Sequence, residues 1–398
     1  MRHSSLKPRA CWLKTLAVSA IVVAAGAAAG QTATPYLQTN LVSDIPGLAS
    51  ITDPLLVNPW GISRSAASPF WVSNQGTGTS TLYSVAGSTT VTRVNIAPNG
   101  FVAIPTTAGG PQGPTGQVSN SNTASFQLAP GNTTTSSRFI FANLNGTISG
   151  WAGGASATIE ATTPGAVYTG LAINGAGTRL YAADTVSGGI HVFDGSFARL
   201  SMPGAFVDPT VPSGFGAFNV QDIGGTVYVT YAPAGLAAQR NATRGMGFVS
   251  AFDENGTFLR TVVSGSRLAA PWGVALAPTT FGPFGGDLLV GNFSFVASEI
   301  NAYDPVTGAL AGTIPINVGA GNTPGGLWGL SFGNGGNGGS RDTLYFADGI
   351  NGETAGLFAA LAPIPEPSTL ALTSIGLLVL WGWRRSRGGR APGLITAA

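Results

Sequence analysis

Lysine does not occur after Lys14, cysteine occurs once, at Cys11, and histidine only at His3 and His191, in a chain of 398 residues. Each gap removes a class of chemistry. One early cysteine leaves no disulfide to hold a fold together, so stability has to come from an apolar core and backbone pairing. The lack of lysine excludes a P-loop and Schiff-base chemistry from most of the chain. A lone histidine past residue 3 supplies no zinc or iron cluster and at most one member of a Ser-His-Asp arrangement. His191 lies between Ile190 and Val192 in a strand-like run, where a structural histidine sandwiched between sheets is the simpler reading. Sustained 3.6-residue periodicity is also missing outside the two ends.

What is present begins with those ends. Arg2, Lys7, Arg9 and Lys14 precede an apolar, small-residue stretch from Leu16 to Ala29, closed by Ala27-Ala28-Ala29. A basic start, a short apolar region and an A-x-A pattern read as a secretory signal peptide over residues 1–30. Fourteen apolar residues fall short of the about 20 that span a bilayer, and Arg9 and Ala10 before Cys11 do not form a lipobox. At the other end, Pro365-Glu366-Pro367-Ser368-Thr369 is followed by an apolar run from Leu370 to Trp383 and then by Arg384, Arg385, Arg387 and Arg390. That order resembles the PEP-CTERM sorting signal of exported bacterial proteins, which an exosortase recognises in the inner membrane. The resemblance implies a tail over residues 363–398 with a short transmembrane segment, its arginines on the cytoplasmic side by the positive-inside bias. Between the two ends, ten arginines face fifteen acidic residues. The exported part is therefore net acidic and offers no electrostatic case for nucleic acid.

That part, residues 31–362, is rich in glycine and proline and made of short Val, Ile, Tyr, Phe and Thr runs between turn residues, the pattern of an all-β chain. Three elements return in fixed order. The first is Pro59-Trp60-Gly61-Ile62, Pro114-Thr115-Gly116-Gln117-Val118, Tyr168-Thr169-Gly170-Leu171-Ala172, Phe218-Asn219-Val220-Gln221, Pro271-Trp272-Gly273-Val274-Ala275 and Leu327-Trp328-Gly329-Leu330. Each is followed by a second run, such as Phe70 to Asn74 or Leu344 to Asp348, and by a third, such as Glu299 to Asp304. Six returns at about 56 residues apiece predict a six-bladed β-propeller, with glycine in the first element because innermost strands crowd around a narrow axis. The sixth unit stops after its third run, at Leu361, and Tyr36 to Val42 is an unassigned strand ahead of the first. Pairing that strand into the last blade would close the ring and remove exposed edges.

Over the whole exported length the chain resembles an uncharacterised PEP-CTERM-associated β-propeller family. The matching stretches include Asn40-Leu41-Val42-Ser43-Asp44-Ile45-Pro46-Gly47, Val57-Asn58-Pro59-Trp60-Gly61-Ile62, Gly146-Thr147-Ile148-Ser149-Gly150-Trp151, Leu288-Leu289-Val290-Gly291-Asn292-Phe293 and Leu327-Trp328-Gly329-Leu330-Ser331-Phe332-Gly333-Asn334-Gly335. The resemblance implies a propeller distantly like lactonase and NHL-type repeats, which include enzymes and binding platforms alike, and it carries over no catalytic residue.

Two constellations bear on function. Asn74, Asn143, Asp184, Asn292 and Asp348 end the second run in five units, with Tyr231 in the sixth. A ring of oxygens at one rim is a candidate calcium or ligand site, while the simpler reading has each residue bonding the backbone of its own turn. Trp60, Trp272 and Trp328 are either a carbohydrate-stacking platform or spacers at the axis. Gly333 to Gly338 matches G-x-G-x-x-G but opens no helix and reads as a flexible loop. The expectation is a noncatalytic surface or exopolysaccharide-associated module that binds glycan or protein and needs no cofactor. The alternative is a metal-dependent lactonase-like or lyase-like enzyme using the Asn/Asp rim. The signals place the protein transiently at the inner membrane and then at the cell surface or extracellular matrix of a Gram-negative-type bacterium.

The tail gives the first prediction. In cells with an exosortase, intact-mass analysis of surface protein should find nothing beyond about Pro365 to Pro367, and in cells without one the protein should stay membrane-associated. An unbroken C-terminus through Ala398 in the surface fraction would make the segment an ordinary short anchor.

Overall fold

The structure is a computed structural model that describes residues 35–96, 98–128 and 135–364. The expected signal peptide and the sorting tail from Pro365 onward lie outside the described residues. The described residues form six sheets arranged as blades around one axis, antiparallel except for the parallel pairing of Ile51–Thr52 with Tyr36–Ser43, and the innermost strands touch their neighbours in a closed circle. These strands are Pro59–Ser63, Pro114–Ser119, Tyr168–Ile173, Phe215–Ile223, Pro271–Leu276 and Leu327–Phe332. They coincide with the six copies of the first sequence element. The second and third strands follow where the repeats place them, for example Phe70–Asn74 and Thr79–Ala86 in blade 1.

Blade 6 is built from both ends of the described chain. Its sheet runs Leu327–Phe332, Leu344–Asp348, Leu357–Pro363 and then Tyr36–Ser43, with Ile51–Thr52 outermost. Tyr36–Ser43 lies antiparallel to Leu357–Pro363, Tyr36 opposite Pro363 and Ser43 opposite Leu357. The closing strand is fixed beyond its ladder as well: the Tyr36 hydroxyl donates to the Phe281 carbonyl at 2.7 Å in blade 5.

Blades are apolar on both faces, and the core is correspondingly divided. Six clusters of buried side chains fill the gaps between adjacent blades, such as Phe70, Tyr83, Tyr345 and Phe358 between blades 6 and 1, or Trp71, Phe139 and Trp151 between blades 1 and 2. A seventh, with Trp60, Phe218, Trp272, Phe293 and Trp328, occupies the axis.

Every inner strand breaks register near its start, for instance between Pro59 and Ile62 and between Pro271 and Val274. The recurring X-Gly dipeptide sits in this bulge. A Cβ on Gly273 would lie 2.3 Å from the Trp328 carbonyl oxygen, and one on Gly61 would lie 2.5 Å from the Thr115 carbonyl oxygen. Glycine is therefore required by the approach of the next blade's backbone. Blade 4 replaces it with Asn219, whose amide donates to the Trp272 carbonyl at 2.7 Å and turns the same proximity into a bond.

The Gly333 to Gly338 segment is a loop, as expected, but it is fastened. Asn334 accepts from the N–H groups of Gly336 and Gly338 and donates to the carbonyls of Ser65 and Ser68, and Val85 of blade 1 donates to the Asn337 carbonyl at 2.8 Å.

Gly273→Ala should destabilise the fold by about 1–3 kcal/mol, because the backbone it meets cannot yield without opening the ring. Gly153 is the control: a Cβ added there would meet nothing within 4 Å, and its φ is not positive. Its replacement by alanine should stay within about 0.5 kcal/mol of the parent in chemical denaturation.

Candidate functional site

The loops that enter the inner strands and leave the second strands meet at one end of the axis. They enclose a pocket of about 570 Å³, inside the range of about 300–1,000 Å³ usual for small-molecule sites. Trp60, Phe218 and Trp328 form its floor, and Pro111, Leu144, Val167, Val186 and Leu236 contribute apolar wall. The tryptophans are axial core: Trp60 stacks on Trp328 with centroids 3.4 Å apart, and Trp272 meets both edge-on at 6.2 and 5.4 Å. All three are buried. Their ring faces are largely spent on one another, although Trp60 and Trp328 also border the pocket.

A polar wall stands beside this floor. The Asn58 amide donates to Gln75 Oε1 at 2.8 Å and to Glu353 Oε1 at 3.4 Å, and its oxygen accepts from the Trp328 indole N–H at 3.2 Å. Arg240 closes the row, donating from Nε and Nη2 to Glu353 Oε2, with its guanidinium 5.4 Å from the centre of the Phe295 ring. Gln239 and Arg240 come from the short helix Leu236–Arg240. Burial pushes the Glu353 carboxyl above its ordinary range, against the pull of Arg240 and Asn58.

Backbone geometry sets this wall. Asn58 has φ 45°, and Asn351, Gly352 and Glu353 follow one another at 56°, 69° and 69°. Left-handed non-glycine residues cost about 1–3 kcal/mol each and concentrate at ligand sites. Asn351 holds the turn by accepting from the Thr323 N–H at 2.8 Å and donating to Asn322 at 2.8 Å.

The five rim residues do not line the pocket; each is buried. Asp184 accepts from the N–H groups of Val167, Val186 and Ser187, and Asn292 accepts from that of Ala269 and donates to the carbonyls of Arg267 and Ala297. Both bond their own turn and also the loop that enters the inner strand of the same blade. Asn74 donates to the hydroxyls of Thr79 and Thr81. Asn143 and Asp348 are buried with no hydrogen-bond partner on either side-chain polar atom. Tyr231 is buried at the sixth place, its hydroxyl 3.5 Å from the Phe206 carbonyl. His191 is not sandwiched as expected: it is half-buried and borders an open hollow with Arg199 and Met202, with Nδ1 3.0 Å from the Tyr168 hydroxyl and Nε2 3.5 Å from Asp184, and what burial it has lowers its pKa.

Successive residues of a strand point to opposite sides. The strand-ending Asn or Asp turns into its blade, and the residues just after it reach the pocket: Gln75 after Asn74, Leu144 after Asn143, Thr185 after Asp184, Glu353 a turn beyond Asp348. Sequence reasoning missed Asn58, Gln75, Gln239, Arg240 and Glu353. The available signal was the scarcity of charge, which makes Arg240 and Glu353, each shortly past a second strand, stand out.

Residues 363–387 match the PEP-CTERM protein-sorting motif family. The chain is also similar to three proteins of Acanthamoeba polyphaga mimivirus. It is 32% identical to "Uncharacterized protein R648" over 280 residues, 66% of either chain, 30% identical to "Uncharacterized protein R640" over 46% of this chain and 36% of that one, and 29% identical to "Uncharacterized protein L690" over 66% and 70%.

Asp348 yields a stability prediction. Full burial without a partner raises its pKa well above 3.8, so the folded state keeps this proton to higher pH than the unfolded chain does. Stability is then undiminished below about pH 3.8 and declines as pH climbs towards the raised value. Asn occupies the equivalent place in three other blades, so Asp348→Asn should match the parent near pH 3.5 and exceed it by about 1–3 kcal/mol at pH 7 in thermal or urea unfolding. A loss at pH 7 would mean an ionised carboxylate held by a cation.

Proposed function

We propose that this six-bladed propeller, exported and sorted through its PEP-CTERM signal, is a noncatalytic binding module that takes a saccharide of the cell surface or surrounding matrix into its axial pocket. The observation that supports this most is the pairing, in one pocket, of apolar surface from Pro111, Leu144, Val186 and Leu236 above the aromatic floor with a wall of amide and guanidinium groups. A sugar ring asks for both, an apolar face to rest on and directional partners for its hydroxyls. The position of the pocket, at the axis of a closed ring whose floor is rigid core, favours a preformed site with little ordering cost on binding.

The test is a glycan array probed with the processed protein, followed by titration of the best binder. Leu236→Glu and Leu144→Glu, at the pocket wall, should each weaken that binder at least about tenfold, equivalent to about 1.4 kcal/mol, with unfolding midpoints close to the parent. Turnover of a lactone or a glycosidic substrate by the same protein would replace this reading with the enzymatic one, and an array without any binder would remove it.

A further inference from the structure

We infer that the saccharide bound by this pocket is anionic, and that the Arg240 guanidinium is the group that selects its acidic substituent. The inference rests on the saccharide-binding reading above and narrows it to a class.

Arg240 and Glu353 are the charged residues among those lining the pocket. Their exposures are unequal, 37% for the arginine side chain against 7% for the glutamate. The carboxylate lies underneath and the guanidinium reaches the open side. Arg240 spends Nε and Nη2 on Glu353 and has no partner for Nη1 among the described residues. The Phe295 ring and the Glu353 fork fix its plane, so a donor edge is presented to the pocket without further ordering. Gln239, in the same short helix, is 7% exposed, lines the same pocket, and makes no side-chain hydrogen bond among the described residues. Its amide faces the pocket with donor and acceptor uncommitted to those residues, so a ligand can take both.

The same arrangement recurs beside the pocket. Arg244 and Arg267 both fork onto Glu299, at 2.7 to 3.1 Å, and again the carboxylate is buried, at 8%, while the guanidiniums are 52% and 34% exposed. Two arginines on one glutamate leave a net positive charge, and neither Nη1 has a partner among the described residues. The loops carrying these arginines are tied together: the Gly245 N–H donates to the Leu268 carbonyl at 2.9 Å, and the Phe295 N–H to the Arg240 carbonyl at 3.0 Å. Asp184, whose loop reaches the pocket wall, is buried and engaged by three backbone N–H groups. Outward-facing charge around blades 4 and 5 of this end is thus positive on a protein whose exported part is net acidic. A ligand repeating an acidic group along its length would meet Arg240 inside and Arg244 and Arg267 outside.

The test compares three oligosaccharides of equal length by titration calorimetry on the processed protein: a neutral glucose oligomer, an oligogalacturonate and a sulfated glucose oligomer. At least one anionic probe should bind about tenfold or more tighter than the neutral one, and that advantage should shrink between about 0.05 and 0.3 M salt. Arg240→Gln should abolish the advantage and Arg240→Lys retain part of it. Arg244→Gln with Arg267→Gln should reduce the salt dependence and leave binding of the neutral probe unchanged. Preference for galacturonate alone identifies carboxylate recognition, and equal preference for both anions identifies charge recognition. Neutral and anionic probes binding alike, or a preference that survives Arg240→Gln, overturns the inference and leaves the saccharide reading standing. Because Arg240→Gln strands Glu353, its unfolding midpoint is measured alongside, and the lysine variant keeps the test decisive if the glutamine variant fails to fold. No binding of any of the three probes removes the inference, and the glycan array decides separately on the reading beneath it.

Discussion

Six backbones converge on one axis, and the distance at which they do so governs the rest of the molecule. Between neighbouring inner strands there is no room for a Cβ at Gly61, Gly116, Gly170, Gly273 or Gly329, each of which would collide with backbone or a first side-chain atom of the next blade. The bulge at that dipeptide turns the preceding residue towards the axis, so Trp60, Trp272 and Trp328 arrive there together with Phe218 and plug it. Hydrogen bonds stitch the same contact: the Thr115 hydroxyl donates to the Tyr168 carbonyl at 2.8 Å, the Thr169 hydroxyl to the Phe218 carbonyl at 2.7 Å, and the Gln117 amide to the Gly61 carbonyl at 2.8 Å. The floor of the pocket is therefore the top of the fold's tightest contact, and its rigidity follows from that.

Above this floor the chain tolerates features a core would not. Left-handed backbone at Asn58, Asn351 and Glu353, and a glutamate whose carboxyl is pushed upward by burial, all belong to the pocket wall. Local strain of this kind persists only where the surroundings over-determine it. Here the closed ring below and the Asn351 clamp at the side do so.

The repeat made the architecture legible. Inner, second and third strands are two-sided and buried, so their Val, Ile, Phe and Tyr runs are visible, and Leu288–Asn292 and Leu344–Asp348 begin and end where the sequence alone puts them. The outermost strands are another matter: Arg199–Leu200 is two residues long and Thr158–Thr162 is half exposed, and a strand that buries little need not advertise itself in composition. The residues that line the pocket lie about one position beyond the strand-ending Asn and Asp in several blades. Periodicity identifies the strand-ending Asn and Asp, but which way such a residue turns depends on the pleat and on the loop that follows. Glu353 and Arg240 meet across 113 positions of sequence, through turns whose left-handed φ values have no pattern that composition reveals.

Blade 6 joins the two termini of the propeller at a single edge: Tyr36 sits opposite Pro363, and the Ile364 N–H donates to the Pro35 carbonyl at 2.8 Å. The strand Leu357–Pro363 starts at the pocket end of the axis and finishes at the far end, so any tether continuing past Pro363 leaves from the side opposite the pocket. Mechanical load arriving through the tether also enters an interior strand, bonded on one side to Leu344–Asp348 and on the other to Tyr36–Ser43. Pulling along that strand shears two ladders at once, whereas an edge strand could be peeled one hydrogen bond at a time.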